Sequence, residues 1–491
     1  MAKLSRRQFI ALGVGGAGIA VAGNWLRRET ISSQPVPQSS ANPTPVYQSS
    51  DGLLELDLSA RENLVNLGKR QASLLTYNGQ IPAPRLEAKP GDKVRLHFTN
   101  NLEQPTNIHY HGLHIPLTGN ADNVFLEIEP GKKLTYEFQI PNNHPSGTFW
   151  YHPHLHGLVA EQLFGGLAGL FIVRGELDEI PELKAAQEEF LVLQDFSIDE
   201  DGRRSDSAHM SLMMGREGDV ITVNGRVNPN ITLAKGGLLR LRILNASPSR
   251  FYRLTLEEHS FYQIATDGNS LSAPIEVNEL LLTPGQRADV LVRGDKESGQ
   301  FRLLNLPYDR GSMGMMGGGM MGGRGMMGRN NNRDVPIALA TVNYESAVES
   351  LALPTQLASI SALPEPQIVR RFELNHGMSP AVGMAFLING EPYSHDIIHT
   401  QVKLNTIEDW ELINTGVMDH PFHIHGNAFQ VISRNGQPES LLSLRDTVLV
   451  KRGETVRIRI PFRDFAGKTV YHCHVLDHED LGMMGNLVIA T

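Results

Sequence analysis

A single cysteine stands among the 491 residues, so no intramolecular disulfide can staple the chain. Basic residues are outnumbered, and the net charge of −9 argues against a nucleic-acid partner. The sequence also lacks a phosphate-binding glycine loop and a Ser/His/Asp set tied to a recognisable elbow, which leaves nucleotide transfer and serine hydrolysis without residues to run on. The apolar stretch that ends at Ala22 is too short to cross a bilayer as a mature helix, which needs about 20 apolar residues. No cysteine lies near its end, and this excludes a lipoprotein anchor.

What the N-terminus does contain is Ser5, Arg6, Arg7, Gln8, Phe9, Ile10, a twin-arginine export pattern, followed by Ala20, Val21, Ala22 as an A-x-A cleavage site. The expectation is a signal peptide over residues 1–22, passed to the twin-arginine export machinery, and a periplasmic or otherwise exported product. That route carries folded proteins, which suits metal sites assembled from distant segments. Residues 23–50, rich in Ser, Pro, Gln and Asn, are expected to form a disordered linker.

The lone Cys473 sits in the run His472, Cys473, His474, Val475, Leu476, Asp477, His478, which ends in Gly482, Met483, Met484. Two imidazoles, one thiolate and a weak axial thioether are the ligands of a blue-copper electron-transfer centre. Cys473, His478 and Met483 supply three of them, and one histidine must come from upstream. If Tyr471 to Val475 is a strand, His472 and His474 share the face opposite to Cys473 and can bind a second metal centre joined to the first through the backbone.

Three further clusters carry histidines at i, i+2: His109, Tyr110, His111; His152, Pro153, His154; and His420, Pro421, Phe422, His423, Ile424, His425. This strand spacing aims two imidazoles into one cavity. One such pair is weak, but four of them are strong.

With these motifs in this order, residues 51 to 491 resemble the multicopper oxidases, the family of laccases, bilirubin oxidases and cuprous oxidases. The resemblance implies four copper ions, one of type 1, one of type 2 and a type 3 pair. Carried over by motif position, the type 1 copper matches His420, Cys473, His478 and Met483, the family spacing favouring Met483 over Met484. The type 2 copper matches His109 and His423, and the type 3 pair matches His111, His152, His154, His425, His472 and His474. Dioxygen and a small-molecule reductant or Cu(I) are the implied partners, and His420 and His478 the implied substrate contacts. Reduction of dioxygen consumes protons, so Glu479 and Asp122 are expected as the carboxylates that assist it. His97, His114, His144, His156, His209 and His376 are read as packing or supporting residues.

An internal repeat sets the domain count. Asn78, Gly79 is followed by Gly91 and a strand ending in Asn100; Asn224, Gly225 by Gly237 and a strand ending in Asn245; and Asn389, Gly390 leads to Asn414. Each copy is a turn, an extended segment and an alternating strand, the pattern of an antiparallel sandwich. The expected fold is all-β, with three cupredoxin-like Greek-key β-sandwich domains over 51–175, 176–345 and 371–491, the last two joined by a linker over 346–370. The histidine clusters follow the first and third copies. The middle domain, without copper ligands, is expected to act as a spacer, and the outer two must meet.

Between Ser312 and Gly328 stand seven methionines and eight glycines in seventeen residues. Glycine at that density forbids a stable core helix, so the methionines are expected on a loop, where thioethers are soft ligands for Cu(I). The functional expectation is a monomeric, laccase-like multicopper oxidase that oxidises phenolic or aromatic compounds and Cu(I), with a role in copper tolerance. The alternatives are a general laccase without that role, a copper-buffering protein and a non-catalytic cell-envelope relative.

Overall fold

A computed structural model describes residues 44–491 apart from 69, 206–208, 313–334 and 380–382. The signal-peptide reading and most of the methionine segment lie outside the described residues. Within them the strands form six sheets, paired face to face around three apolar cores.

In the first sandwich the sheet of Leu53–Leu67, Arg70–Tyr77, Lys93–Asn101 and Lys133–Gln139 carries the alternation of a half-exposed surface. Val94, Leu96 and Phe98 point inward while their neighbours are partly exposed. The facing sheet holds Arg85–Ala88, His109–His111, Gly147–His152 and Gly169–Val173. Its strand Gly147–His152 is buried on both faces, because another domain covers the side away from the core.

The three domains repeat one another in hydrogen bonds as well as in order. Asn78, Asn224 and Asn389 all adopt positive φ before a glycine, at 52°, 53° and 57°. Their Oδ1 atoms accept from the backbone N–H of Ser59, Val192 and Glu373 respectively. Asn100, Asn245 and Asn414 are buried, and each donates through Nδ2 to two backbone carbonyls: Gln104 and Ile128, Arg250 and Leu282, Met418 and Val450. These amides brace the loop that leads to the next strand, His109–His111 in the first domain and His420–Ile424 in the third.

Two expectations need correction. The sheets are mixed and not purely antiparallel: Leu53–Leu67 pairs in parallel with Lys93–Asn101, Gln187–Phe196 with Leu238–Asn245, and Ile368–Ser379 with Thr406–Asn414. Parallel neighbours require a crossover, and here the chain visits the opposite sheet between them. The expected disordered linker also ends early, since Val46–Gln48 is a strand parallel to Arg85–Ala88. Its side chains are exposed, so the segment is held by backbone pairing to an open sheet edge and gives no apolar signal.

Candidate metal centre

Side-chain parity on three strands sorts the histidines into two groups. On His420–Ile424, Phe422 and Ile424 belong to the core of the third domain, and His420 shares their face; His423 points the other way. On Gly467–Cys473, Tyr471 and Cys473 face the same core while His472 turns outward. The register places Phe422 opposite Cys473 and His423 opposite His472. On His109–His111 of the first domain, Tyr110 enters that domain's core and both histidines face out.

The inner group is His420, Cys473 and His478, whose ligand atoms lie within 4.8 Å of one another and are fully buried. Cys473 Sγ is 3.4 Å from His420 Nδ1 and 3.8 Å from His478 Nδ1, and the two Nδ1 atoms are 3.3 Å apart. His478 comes from the one-turn helix Leu476–Asp480 that follows Cys473. Met483 returns to this site: its carbonyl accepts the Cys473 N–H at 3.0 Å and its side chain lies in the same core. Met484 points instead to a separate cluster with Val124 and Val470.

The outer group gathers eight histidines where the first and third domains meet. Two disjoint buried triads stand out, His111, His152 and His474, and His154, His425 and His472, each drawing on both domains. His109 and His423 remain over, and together with His111 they form a third close set. Burial pushes the imidazoles of His109, His111, His152 and His425 well below their usual range, reinforced by the neighbouring rings. Burial likewise holds His154 at about 4 and His420 at about 3. The rings are therefore neutral, the form in which histidine binds a metal.

One nitrogen of several rings is anchored and the other is left without a hydrogen-bond partner among the described residues. His109 is anchored through Nδ1 on Asp122, His152 on the Pro153 carbonyl and His423 on the Asp446 carbonyl, and in all three Nε2 is unpartnered. His111 is reversed, with Nε2 on Asp446 Oδ1 at 3.0 Å and Nδ1 unpartnered. A buried unsatisfied polar atom costs about 1–3 kcal/mol, and so many converging on one cavity fit bound cations. Burial also raises the Cys473 thiol, so a thiolate there needs a metal's charge to offset desolvation. Neutral imidazoles with one thiolate are a soft donor set that suits copper.

Both expected carboxylates lie against the outer group. Asp122 is buried, and its Oδ1 accepts from His109 Nδ1 at 2.8 Å and from the Tyr110 N–H at 2.9 Å. Burial raises its carboxyl to about 8, and the unpartnered Oδ2 is the atom left to carry the proton. Glu479 Oε2 is 3.0 Å from His472 Nδ1 and Oε1 is 3.6 Å from His154 Nε2. Burial pushes Glu479 up, but the adjoining imidazoles of His472 and His154 outweigh it and hold the carboxyl at about 2.

Three family models, each described as multicopper oxidase, match residues 59–178, 189–320 and 364–491. The multicopper oxidase mco of Staphylococcus haemolyticus is 30% identical over 452 residues, spanning 90% of each chain. The chain belongs to the multicopper oxidase family. The laccase of Bacillus subtilis is 27% identical and covers 83% of this chain and 88% of its own. A solved multicopper oxidase from Campylobacter jejuni superposes with a TM-score of 0.81 at 33% identity, covering 93% of this chain and 96% of its own. This multicopper oxidase is a laccase-like oxidoreductase, and its family implies copper, dioxygen and a reducing substrate.

Two readings of this oxidase change with its structure. His420 and His478 do not reach the surface; both are 0% exposed. Phe386 stacks on His478 with ring centroids 3.8 Å apart, and the Met213 backbone lies beside the same ring. The expected spacer domain is not remote either. Gly285, at φ +83°, packs so closely on His474 that an added Cβ would lie 2.7 Å from its Nε2, and Arg287 bonds to Asp446. Sequence reasoning missed Asp446 and Arg287 because neither lies in a histidine motif. Of the supporting histidines, His97 meets Glu55 and Thr135, His114 meets Asp464, His144 receives the His114 N–H and His156 packs on Tyr393. His376 lies near Phe386, and the side chain of His209 is outside the described residues.

Proposed function

We propose that the inner group is a type 1 copper site, which His420, Cys473 and His478 would hold with Met483 as a weaker fourth ligand. His109 and His423 would hold a type 2 copper, and the triads of His111, His152, His474 and of His154, His425, His472 would hold the type 3 pair. The observation that carries this reading is the partition itself: one His, Cys, His set and one eight-histidine set, joined by the backbone on either side of Cys473. When bound, the coppers supply one-electron transfer at the first site and dioxygen reduction at the second. Four one-electron oxidations of substrate balance the reduction of one dioxygen, with four protons, to two waters.

The protein's own part is to hold, connect and protonate. Cys473 and its neighbours His472 and His474 give a covalent path between the two sites. Asp122, protonated near neutral pH on Oδ2, can release a proton toward the cavity beside His109. Glu479 keeps its negative charge between His472 and His154 and can relay protons to that side. Burial of every imidazole excludes bulk water from the place where partly reduced oxygen would otherwise escape.

Cu(I) is the substrate this reading favours, and export with a part in copper tolerance follows from it and from the twin-arginine pattern. Burial of His420 and His478 supports a small donor, since no ring edge is open to a bulky phenol. The Campylobacter jejuni relative is described as a metallo-oxidase and the Bacillus subtilis one as a laccase, so both substrate classes occur among similar proteins. A general laccase is the second reading. Deleting Ser312 to Gly328 should lower the ratio of Cu(I) to phenol turnover, measured as oxygen uptake at matched copper content. An unchanged ratio would leave the laccase reading in place.

A further inference from the structure

The middle domain holds no ligand of either metal-atom group among the described residues, yet one of its side chains sits at the junction of all three domains. Arg287 opens the strand Arg287–Arg293 and is fully buried. Its Nη1 and Nη2 donate to Asp446 Oδ1 at 2.9 Å and Oδ2 at 2.6 Å, a two-pronged pair with the third domain. Its Nε donates to the Thr148 carbonyl of the first domain at 3.1 Å, and Nη1 also reaches the Gly285 carbonyl in its own domain. The Arg287 N–H is held by Asp267 Oδ1, whose other oxygen faces the Thr447 N–H.

Asp446 passes this anchorage on to two histidines. Oδ1 accepts from His111 Nε2 at 3.0 Å, and the Asp446 backbone carbonyl accepts from His423 Nδ1 at 2.8 Å. His111 is tied by Nε2 to a carboxylate, which leaves Nδ1 as its free atom, whereas the Nε2 atoms of His154 and His425 lie within hydrogen-bond distance only of His472 Nε2. The ring nitrogen that is bonded decides which one is left for a metal. A second observation shows how closely the pair is built in. Gly112, next to His111 at φ +86°, has no room for a Cβ because Arg287 Nη2 and Asp446 Oδ2 fill that space.

We propose that Arg287 is a positioning residue of the oxygen-reducing site: it fixes the Asp446 carboxylate so that His111 presents Nδ1, and so completes a centre to which its own domain gives no ligand. Without Arg287, Asp446 would keep the Thr447 Oγ1 hydrogen bond on Oδ1 at 2.9 Å but lose both guanidinium prongs, and His111 could then turn or change tautomer. This inference rests on the assignment of the eight histidines to copper.

The test replaces Arg287 with Met, which keeps length and apolar volume, and with Lys, which keeps charge but has no second prong. Copper per chain, the blue colour of the type 1 site, the type 2 copper resonance spectrum and thermal unfolding would be measured alongside reoxidation by dioxygen. The expected result is normal blue colour and normal reduction of the type 1 copper. Affinity for the remaining coppers, or the reoxidation rate, should fall about 10- to 100-fold, the usual effect of removing an orienting partner. The type 2 spectrum should change, and R287K should lie between R287M and the parent. If R287M does not fold, R287K decides the matter by the same readings. Parental copper content, spectrum and reoxidation in the folded variant would overturn the proposal. So would a loss shared equally by the blue site, since that is general destabilisation. A parent protein that binds no copper at the eight histidines would instead overturn the assignment beneath it.

Discussion

The His420, Cys473, His478 group and the eight-histidine group share two strands, but they are built by different rules. The first belongs to one domain, lies on the inner face of its sheet and inherits rigidity from the core around Phe422, Tyr471 and Met483. The second lies on the outer face of the same strands and exists only where a second domain supplies His109, His111, His152 and His154. The middle domain braces it without contributing a ligand among the described residues. A site inside a sandwich is therefore protected by one packing event, whereas a site between sandwiches depends on every interface that sets the ring positions.

The sharpest way to separate the two is Cys473→Ser, which replaces the soft anionic ligand with a poor neutral one. Blue absorption and turnover should be abolished while copper remains at the eight histidines; retained colour or a parental oxidase rate would break the division between the sites. Asp122→Asn acts on the outer site alone. Reduction of the type 1 copper should be unchanged and reoxidation by dioxygen slowed roughly 10²- to 10⁴-fold, the range for loss of a general acid. Stopped-flow traces of the two half-reactions distinguish them, and equal rates before and after would make Asp122 a bystander.

Gly285→Ala tests whether the middle domain presses on the outer site. A methyl group at φ +83° against the His474 ring should destabilise the protein by about 1–3 kcal/mol, as overpacking does. The loss should appear in thermal unfolding together with lowered copper at the eight histidines and normal blue colour; an unaltered outer site would show that this contact is incidental. A further test uses the metal-free protein. Burial raises the Asp122 carboxyl from 3.8 to about 8, so the folded chain keeps a proton that the unfolded chain releases between those values. Stability should fall as pH rises through that window, and less so in Asp122→Asn. Parallel unfolding-against-pH curves for the two proteins would remove Asp122 as the source.

Much of this was legible in the residues because β-structure has a period of two. The alternation of His472, Cys473 and His474 separates the two groups by strand parity, and His109, Tyr110, His111 shows the same arithmetic with a core tyrosine in place of cysteine. The repeated asparagines were legible too, since Asn78, Asn224 and Asn389 take a backbone conformation that few residues tolerate. The strand Val46–Gln48 was not, because edge pairing through backbone atoms leaves no side-chain pattern.

By itself the sequence determined which residue types are available and which of them share a strand face, a matter of local geometry carried by neighbours in the chain. Only the tertiary structure decided that His111 is tied by Nε2, that His420 and His478 are covered, and that Arg287 reaches Asp446 across 159 residues of chain. Those outcomes depend on how domains dock, and docking brings together side chains whose separation in sequence carries no periodic signal.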